Sequence, residues 1–593
     1  MDDFIFGTLA TEQLKRERVY GVRAGISHAF RRIPLDPLPA QSVRLILSVG
    51  PEQPVRRGWV YWTSDGSDPQ GHLGKAINGF AAPLWFTHTE WDTVLWGYLS
   101  YYEAILPGFP AGTLVRYCFG FEVSGKGEVI SDEGRIFAFY VDDDPLPDWS
   151  KDAIVYEIFV DRFVTSAGNA WKKPNTLSGF FGGTLGGITE KLGYLDDLGV
   201  NTLWLTPIFP SPSHHGYDAT DFFEIEPRLG SKDDFRQLLD EAHKLGIRVL
   251  LDFVPNHVSN LHPYFQKAIS DPHSPYRDWF TFRHYPDEYE TFFGVKSLPQ
   301  LNLRNPQARK YVLDAARYWL DFGVDGFRVD YAIGPAADFW AEFRMVTRQA
   351  KPDCWTFGEI VDPSDVQLTF AGQLDGALDF ILLEGLRQSL AFGRWNGRKF
   401  GSFLQRHQAY FPEDFSRPSF LDNHDMNRFL WAAGNDQRRL KLAALVQFSL
   451  SGPPVIYYGT EVGLSQQRDV RQDGRGIPEE ARLPMLWGDD QDASLLDFYR
   501  RLISARKRFA SLRRGTIKFS DYTDELLILE RFFQNERIVT VANLSDHIQS
   551  QPLEGGEWGI VVASNEEVKL VSRSNQTHLF LPPLSGVIVE KIK

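Results

Sequence analysis

Hydrophobic and polar positions alternate in short runs over residues 40–141. The segment Val43–Val49 is apolar at every second position, and the runs 59–62, 115–123 and 136–141 are also of strand length. Turn-forming residues follow the second run, at 63–69. A period of two, interrupted by turns, is typical of half-buried antiparallel strands. The pattern predicts an N-terminal β-sandwich of about a hundred residues.

Beyond residue 150 the pattern changes to strands that alternate with amphipathic helices. Ile188, Leu192, Leu195 and Leu198 recur at helical spacing and stop at Gly199, and Ser231 precedes a helical run that ends at Gly246. Apolar runs of strand length lie at 153–160, 202–208, 247–253, 324–329, 355–358, 420–423 and 455–458. Strands buried on both faces and separated by helices indicate a parallel sheet, and about eight such units suit a (β/α)₈ barrel. A doubly wound open sheet is the alternative, which the missing Gly-rich loop after the first strand disfavours.

The chain is therefore predicted to be a multidomain α/β protein. The acidic, Pro-rich stretch 142–148 is the best domain boundary, and from about Gly515 the strand pattern returns, at 526–533, 537–543 and 585–591. We predict an N-terminal β-sandwich over 1–148, a barrel over 149–510 with an inserted loop domain at about 257–302, and a C-terminal β-sandwich over 511–593.

Charge and composition narrow the classes of partner. The net charge of −14 disfavours nucleic acid and anionic lipid. The two cysteines, Cys118 and Cys354, exclude a disulfide framework and a paired-cysteine zinc site. No apolar run reaches membrane-spanning length, and the N-terminus lacks a signal-peptide pattern. These features predict a cytoplasmic protein that contacts neither nucleic acid nor membrane.

Polar residues follow several of the predicted barrel strands. They are Asp252 with Asn256 and His257, Arg328 with Asp330, Glu359, and Asn423, His424 and Asp425 with Arg428. One aspartate at a strand end is usually a helix cap. Repetition of this pattern at successive strand ends instead predicts an active site, because a barrel of this kind builds its site at the carboxyl ends of its strands.

Four of these segments, 252–257, 326–330, 358–360 and 420–425, resemble the four signature sequences of the α-amylase family of glycoside hydrolases (family 13), in the family's order. Gly216-Tyr217-Asp218 adds to the resemblance, which spans about residues 150–510. The resemblance implies a retaining α-glucan hydrolase with Asp330 as nucleophile, Glu359 as general acid/base and Asp425 as stabiliser of the distorted sugar. It also implies that Tyr217 stacks on the bound glucose, and that Asp218, His257, Arg328, His424 and Arg428 bind substrate.

The residues themselves agree with this division of roles. Arg328 and Asp330 lie two positions apart on one strand and point to one face, so the guanidinium is expected to keep Asp330 ionised. Glu359 follows Trp355 and Phe357, and an apolar setting would raise its pKa.

Segment 289–302 resembles the corresponding loop of the cyclomaltodextrinase, neopullulanase and maltogenic amylase group, which also carries an extra N-terminal β-domain. The group implies cyclodextrins, maltooligosaccharides, pullulan or starch as substrates, hydrolysis of α-1,4 bonds with transglycosylation, and a homodimer through the N-terminal domain. The residues after Asp330, Tyr331-Ala332-Ile333-Gly334, depart from the group's pattern. Three alternatives therefore stay open on the same scaffold: a glucosyltransferase, an isomerase resembling trehalose synthase, and an α-1,6-glucosidase. A non-catalytic barrel subunit is disfavoured, because all three acids are present.

Two features have no assigned role. Calcium is common in the family, but residues 161–180 contain one carboxylate, Asp161, so no metal ligands are assigned. No cofactor is expected to be required, and a calcium ion stays an open alternative. Trp59, Trp62, Trp85, Trp91 and Trp96 either stack on glucan or fill the sandwich core or a dimer interface. Alternation places Trp59 and Tyr61 on one face and Trp62 on the other, which favours the structural interpretation.

Overall fold

The computed structural model describes residues 23–143, 146–471, 477–520, 522–573 and 576–592. Residues 1–22 of the predicted first domain, and Asp144 and Pro145 of the predicted boundary, lie outside these ranges. The boundaries after residues 148 and 510 remain predictions.

Two antiparallel sheets form the N-terminal region. The first contains strands Ile26–Ser27, Arg32–Ile33, Val43–Val49, Trp85–Asp92 and Gly97–Leu106, and the second contains Val55–Thr63, Phe80–Pro83, Thr113–Val123, Gly127–Ile130 and Phe137–Val141. A small hairpin pairs Gln70–His72 with Lys75–Asn78. Buried residues from both sheets share one core, which includes Val43, Leu45, Leu47, Phe119 and Phe139. The predicted β-sandwich is confirmed.

Of the five tryptophans of this region, two are buried and three are exposed. Trp62 belongs to the sandwich core, whereas Trp59 packs with Tyr61 and Cys118 on the opposite face, as alternation predicted. Trp85, Trp91 and Trp96 are exposed, and Trp96 at the hairpin tip is 76% exposed with a φ of 53°. The core interpretation is therefore wrong for these three side chains.

Seven parallel strands build the barrel wall. In chain order they are Val155–Ile158, Thr202–Leu205, Arg248–Phe253, Gly326–Val329, Trp355–Gly358, Gly376–Ala377 and Val455–Tyr457. The first strand pairs with both the second and the seventh. The stretch 416–419 closes the ring, because Gly376 bridges to Ser416 and Ser419 bridges to Pro454.

The predicted barrel is thus confirmed, with one correction. Residues 420–423 were predicted to be a strand, but the backbone pairing falls on 416–419 instead. Phe420 packs inside the barrel against Phe380, at 5.0 Å between ring centroids, and Leu421 joins the outer core. Residues 420–423 are buried on both sides, so their sequence pattern resembles that of a strand although their backbone makes no ladder of hydrogen bonds.

Helices surround the barrel, and local capping sets their ends. Ser231 accepts a hydrogen bond from the Asp234 N–H (3.1 Å), and Asp234 accepts one from the Ser231 N–H (2.7 Å), which forms the capping box of helix Lys232–Lys244. The other helices of the barrel region are Val160–Phe163, Leu185–Glu190, Leu192–Leu198, Pro263–Ser270, Pro306–Phe322, Phe339–Ala350, Ser364–Leu368, Phe380–Leu386, Gly397–Tyr410, Phe429–Ala432, Gln437–Ser449, Ala493–Arg508 and Ala510–Arg514. The inserted region also contains the two-stranded sheet Phe282–His284 and Glu288–Tyr289.

The C-terminal region is built of two further antiparallel sheets, as predicted. One contains Thr516–Phe519, Leu526–Phe533, Glu536–Asn543, Trp558–Ala563 and Ser585–Lys591, and the other contains Gln549–Leu553, Lys569–Arg573 and Gln576–Leu581. Leu579, Val541 and Val587 lie in the core of this region.

The N-terminal region also contacts the barrel. Arg344 of helix Phe339–Ala350 is buried and ion-paired with Asp36 (3.0 Å) and Asp142 (3.0 Å), and Arg116 pairs with Asp338. Within the ranges given above, no helix combines the length and the apolar character needed to cross a membrane.

Candidate active site

Strand register brings the first charged side chains together. Asp252 on the third barrel strand is opposite Arg328 on the fourth, and Arg328 is opposite Phe357 on the fifth. Side chains at these positions face the barrel interior, so the Arg328 guanidinium meets Asp252 at 2.8 Å. Both residues are fully buried.

Asp330 and Glu359 follow the fourth and fifth strands, where the backbone still pairs. The Asp330 N–H donates to Phe253 (2.8 Å) and the Glu359 N–H donates to Val329 (2.8 Å). Arg328 reaches both carboxyls, with Nη1 3.0 Å from Asp330 Oδ1 and Nη2 3.1 Å from Glu359 Oε2. One guanidinium therefore holds three carboxyl groups at the floor of the barrel mouth.

Asp425 enters from the segment after the ring-closing stretch 416–419. Asn423 Oδ1 accepts a hydrogen bond from the Asp425 N–H (2.9 Å), and Asp422 accepts one from the Phe429 N–H (2.7 Å) and one from the Thr460 hydroxyl (3.0 Å). These short-range bonds give the segment a defined turn although it is not a strand. The turn places Asp425 beside His424, with 3.0 Å between Asp425 Oδ2 and His424 Nε2.

His424 lies at the centre of a second network. Its Nδ1 is 2.6 Å from Glu157 Oε1, and its Nε2 is 2.7 Å from the Tyr217 hydroxyl. The Tyr217 hydroxyl donates to Asp252 Oδ2 (2.8 Å), and the Tyr217 ring stacks on the His424 ring. The predicted residues Tyr217, His424 and Asp425 are thus in direct contact.

Two arginines differ in what they contact. Arg482 donates to the His424 carbonyl (2.8 Å) and to Asp425 Oδ1 (2.9 Å), so it holds Asp425 from the side opposite His424. Arg428 is fully buried; it donates to the Tyr458 carbonyl (2.9 Å) and lies over the Tyr457 ring. The contacts of Arg428 favour a supporting role below the site over the predicted contact with substrate.

Burial controls the protonation of the acids. Burial raises the pKa of Asp330 well above its usual range, and Arg328 only partly opposes this while Glu359 adds to it. Burial also raises the pKa of Glu359, again against Arg328. The expectation that Arg328 keeps the Asp330 pKa low is therefore not met. Two buried carboxyls that both bind protons more readily than in water are expected to retain a shared proton.

The pKa shifts of Asp425 and His424, unlike those of Asp330 and Glu359, favour the charged forms. Although burial opposes it, His424 and Arg482 hold the pKa of Asp425 well below its usual range. Although burial lowers it, Asp425 and Glu157 raise the pKa of His424 to about 10. Asp425 is therefore an anion at neutral pH, paired with an imidazolium.

His257 and Asp218 lie on two sides of this centre. Burial lowers the pKa of His257 to about 3, so its ring is neutral, and it stacks on Phe292 at 4.5 Å between centroids. Asp218 accepts hydrogen bonds from the hydroxyls of Ser211 (2.5 Å) and Ser213, which indicates a loop-building role. The predicted substrate-binding roles of His257 and Asp218 remain predictions.

An aromatic cluster lies next to the acids. Tyr331 has a φ of 41°, donates its N–H to Glu359 Oε2 (3.2 Å), and packs against Phe292 (4.8 Å) and Phe293 (5.3 Å). Phe293 is 57% exposed. The inserted region thus supplies apolar faces next to Tyr331, which is bonded to Glu359.

Glu157, Arg482 and Phe292 were not predicted as site residues. Glu157 is one polar position inside the apolar run 153–160, and its inward direction follows only from its register with Trp204. Arg482 and Phe292 come from segments without strand or helix periodicity. A charged residue inside a buried strand was the one signal that could have identified Glu157.

The loop after the first strand does not fit a calcium ion. Asp161 accepts hydrogen bonds from the N–H groups of Phe181 (3.0 Å) and Gly182 (3.0 Å) and pairs with Arg162 Nε (2.9 Å). Arg162 donates to the carbonyl of Leu177 (2.6 Å), which is the type of oxygen that a hard cation would need. Within the described ranges, no cluster of three or more His, Cys, Asp or Glu side chains is arranged to hold a metal.

Several known proteins are similar to this chain in sequence and in fold. The family profile for the α-amylase catalytic domain matches residues 157–493. A protein named Alpha-amylase 2 from Dictyoglomus thermophilum is 42% identical over 70% of this chain and 73% of its own length, and Neopullulanase 2 from Thermoactinomyces vulgaris is 34% identical over 75% and 78%. The solved structure of a cyclomaltodextrinase, 26% identical, superposes with a TM-score of 0.70 over 96% of this chain and 99% of its own. The chain therefore belongs to the α-amylase family of glycoside hydrolases, family 13, and is related to its cyclomaltodextrinases, neopullulanases and maltogenic amylases.

Proposed function

We propose that the protein hydrolyses α-1,4-glucosidic bonds in cyclodextrins, maltooligosaccharides, pullulan or starch, with retention of anomeric configuration. The observation that carries the proposal is the single Arg328 guanidinium that gathers Asp330 and Glu359 at the mouth of the barrel. Retaining hydrolysis needs one carboxylate that attacks and one carboxylic acid that protonates, on the same bond.

In the first step, Asp330 attacks the anomeric carbon while the bond from that carbon to the glycosidic oxygen breaks. Glu359 gives its proton to the departing oxygen, so a shortened glucan leaves and a glycosyl ester forms on Asp330. In the second step, Glu359 takes a proton from water, and the hydroxide oxygen displaces Asp330. The reaction requires Asp330 to be ionised and Glu359 to be protonated, and the hydrogen bond from Arg328 Nη1 to Asp330 Oδ1 favours the ionised form of Asp330.

Asp425 and His424 complete the donor side of the site. The anionic Asp425 would hold the hydroxyls of the distorted sugar, and Tyr217 would lie against its ring. On the leaving-group side, Phe293 and Tyr331 offer apolar faces on which the next glucose can stack. A sugar held there competes with water for the glycosyl ester, which supports transglycosylation as a second outcome.

We also propose that catalysis needs no metal and that the protein acts in the cytoplasm. The metal proposal is supported by the loop after the first strand, where Arg162 lies among the carbonyl oxygens. Dialysis against EDTA should leave the rate of hydrolysis unchanged. A loss of activity that added calcium restores would contradict this part of the proposal.

A product profile tests the reaction type. Purified protein is incubated with β-cyclodextrin, pullulan, maltotriose and soluble starch, and the new reducing ends are observed by proton NMR before mutarotation. We expect α-anomeric products and cyclodextrin opening that is faster than attack on starch. Chain-length redistribution without net hydrolysis would indicate a glucosyltransferase. Isomerisation of maltotriose without cleavage would indicate an isomerase, and exclusive cleavage of α-1,6 bonds would indicate an α-1,6-glucosidase. Each of these results would overturn the proposal.

A further inference from the structure

We propose that Glu157 is a positioning residue of the active site, which acts through His424 to hold Asp425 ionised and aligned. The inference rests on the proposed function, because it assigns Glu157 to the machinery of glucan hydrolysis. It starts from one contact: Glu157 Oε1 lies 2.6 Å from His424 Nδ1, and both side chains are fully buried. Glu157 is on the first barrel strand and His424 is on the segment that follows the ring-closing stretch, so the contact joins two distant parts of the barrel.

The neighbouring hydroxyl determines the direction of the hydrogen bonds. Tyr217 has one hydroxyl proton, which it donates to Asp252 Oδ2 at 2.8 Å. Its oxygen must therefore accept from His424 Nε2, at 2.7 Å, so Nε2 carries a proton. Asp425 Oδ2, 3.0 Å from the same nitrogen, is a second acceptor there. The remaining nitrogen, Nδ1, faces Glu157 Oε1 at 2.6 Å. Burial raises the pKa of Glu157, whereas the hydrogen bond and the charge of His424 oppose that shift, and an ionised Glu157 accepts from Nδ1. Both ring nitrogens then donate, and His424 is an imidazolium.

The charges around His424 come from five parts of the barrel and from Arg482, which donates to the His424 carbonyl at 2.8 Å and whose positive charge disfavours an imidazolium. Glu157 belongs to the first strand, Asp252 to the third and Arg328 to the fourth, Glu359 follows the fifth, and Asp425 is the next residue along the chain. A cation between Glu157 and Asp425 is stabilised from both sides. The raised pKa of His424 agrees with this arrangement.

Glu157 is costly to bury, which argues for a specific use. Within the described part of the chain, its second oxygen, Oε2, has no hydrogen-bond donor in reach. Each unpaired polar atom in a protein interior lowers stability. Glu461 Oε2 is unpaired in the same way, so the role of Glu157 follows from the group that its paired oxygen contacts. Its partner oxygen makes one short, charge-assisted bond to His424. We infer that the carboxylate is there to charge and orient that ring.

Glu157 affects the reaction through Asp425. The ring whose protonated form Glu157 stabilises is in contact with Asp425, and Arg482 holds the other oxygen of Asp425 at 2.9 Å. Without the charge on Glu157, His424 is expected to lose its proton at a lower pH. Asp425 would then keep only one of its two cationic partners, and its hold on the distorted sugar would weaken.

The test compares Glu157→Gln with Glu461→Gln. Glu461 is a matched control, since it is also a fully buried glutamate, and its Oε1 accepts from the hydroxyls of Tyr156 (2.7 Å) and Tyr194 (2.6 Å) away from the three acids. The first readout is the pKa of His424, followed by NMR in the full chain with labelled histidine. His424→Asn identifies the signal among the fourteen histidines. The second readout is the pH profile of kcat/KM on β-cyclodextrin.

We expect the wild-type His424 to stay protonated beyond pH ~9, as its pKa near 10 requires. Glu157→Gln should lower that pKa by about one unit or more and move the fall of kcat/KM that His424 deprotonation causes to lower pH by a similar amount, in addition to the fall that deprotonation of Glu359 causes in both proteins. Because the ring also loses its alignment, kcat should fall about tenfold or more at neutral pH, where His424 stays charged. Glu461→Gln should move neither the pKa of His424 nor the fall of kcat/KM. Equal profiles for wild type and Glu157→Gln would overturn the proposal.

Two further outcomes keep the test decisive. A wild-type His424 that is neutral at pH ~7 would overturn the proposal even if Glu157→Gln failed to fold. A wild-type protein inactive on every glucan would instead refute the proposed function. The NMR titration does not depend on activity, so it would still report whether Glu157 charges His424.

Discussion

At the scale of single residues, the site depends on one buried cation. Arg328 contacts Asp252 (2.8 Å), Asp330 (3.0 Å) and Glu359 (3.1 Å) with no exposed surface of its own. A guanidinium is suited to this task, since its donors are fixed in one plane and it stays charged when buried. Its position two residues before Asp330 could be predicted from the sequence. The raised pKa of Glu359 was also predicted, from its neighbours Trp355 and Phe357, whereas the raised pKa of Asp330 was not, because the burial that outweighs Arg328 is a property of the folded site.

Replacing either reacting acid tests the roles at this scale. We expect Asp330→Asn and Glu359→Gln each to lower kcat at least about a thousandfold while the fold is retained, because each removes a group that acts in the transition state. Activity is measured on maltotriose, and folding by circular dichroism. Glu461→Gln is the matched control for Glu359→Gln and should keep its rate. Substantial turnover by either active-site variant would show that the roles are wrongly assigned.

At the scale of elements, the two ends of a barrel strand have different functions. The carboxyl end of the fourth strand leads to Asp330, one of the proposed reacting acids. Asp325, which precedes the strand, forms ion pairs with His243 (2.8 Å) and Lys351 (2.6 Å). In a barrel of this type the carboxyl ends carry the chemistry and the opposite ends contribute to stability. Although burial opposes it, His243 and Lys351 lower the pKa of Asp325, so its charged form stabilises the fold.

Asp325→Asn should therefore affect stability and not catalysis. We expect it to lower the free energy of unfolding by about 2 kcal/mol, the usual value of a hydrogen bond to a charged group. Urea unfolding measures the loss, and kcat on maltotriose should stay within about twofold of wild type, because the acids at the other strand end are untouched. A large fall in kcat with unchanged unfolding would contradict this division of the strand.

The elements also show where sequence reasoning succeeds. The strand Trp355–Gly358 is buried on both faces and was predicted with its observed bounds. The ring-closing stretch 416–419 contains Arg417 and Pro418 and makes single bridges, so it has no strand pattern. Phe420 beside it is buried inside the barrel and produced the misplaced strand. Periodicity reports which side chains are buried, and it does not report which backbone groups pair.

At the scale of the whole molecule, the N-terminal region presents an uncovered aromatic edge. Strand Trp85–Asp92 pairs with Gly97–Leu106 at the edge of its sheet, and seven of its eight residues are exposed, including Trp85 and Trp91. An exposed edge with large apolar side chains is a typical pairing surface. We propose that this edge forms the interface of a homodimer. The alternation rule predicted the faces of Trp59 and Trp62, but exposure at an edge depends on neighbouring strands.

Light scattering on the eluting protein tests the dimer. We expect a mass of twice one chain for the wild type, and a shift towards the monomer for Trp96→Ser, because Trp96 is 76% exposed at the tip of the edge hairpin. Ile548→Ser is the matched control, an equally apolar site that is 72% exposed in the C-terminal region. A wild type that stays monomeric at every concentration would exclude the interface, and the exposed tryptophans would then be candidates for glucan binding.

The proposed reaction requires a covalent glycosyl ester on Asp330. Incubation with 5-fluoro-α-glucosyl fluoride, whose ring fluorine slows hydrolysis of the ester, should trap that intermediate for proteolysis and mass spectrometry. We predict one added fluoroglucosyl group on the peptide that contains Asp330, and none in Asp330→Asn. A label on the peptides of Glu359 or Asp425 would exclude Asp330 as the nucleophile. A β-anomeric product from the natural substrate would exclude retention of configuration.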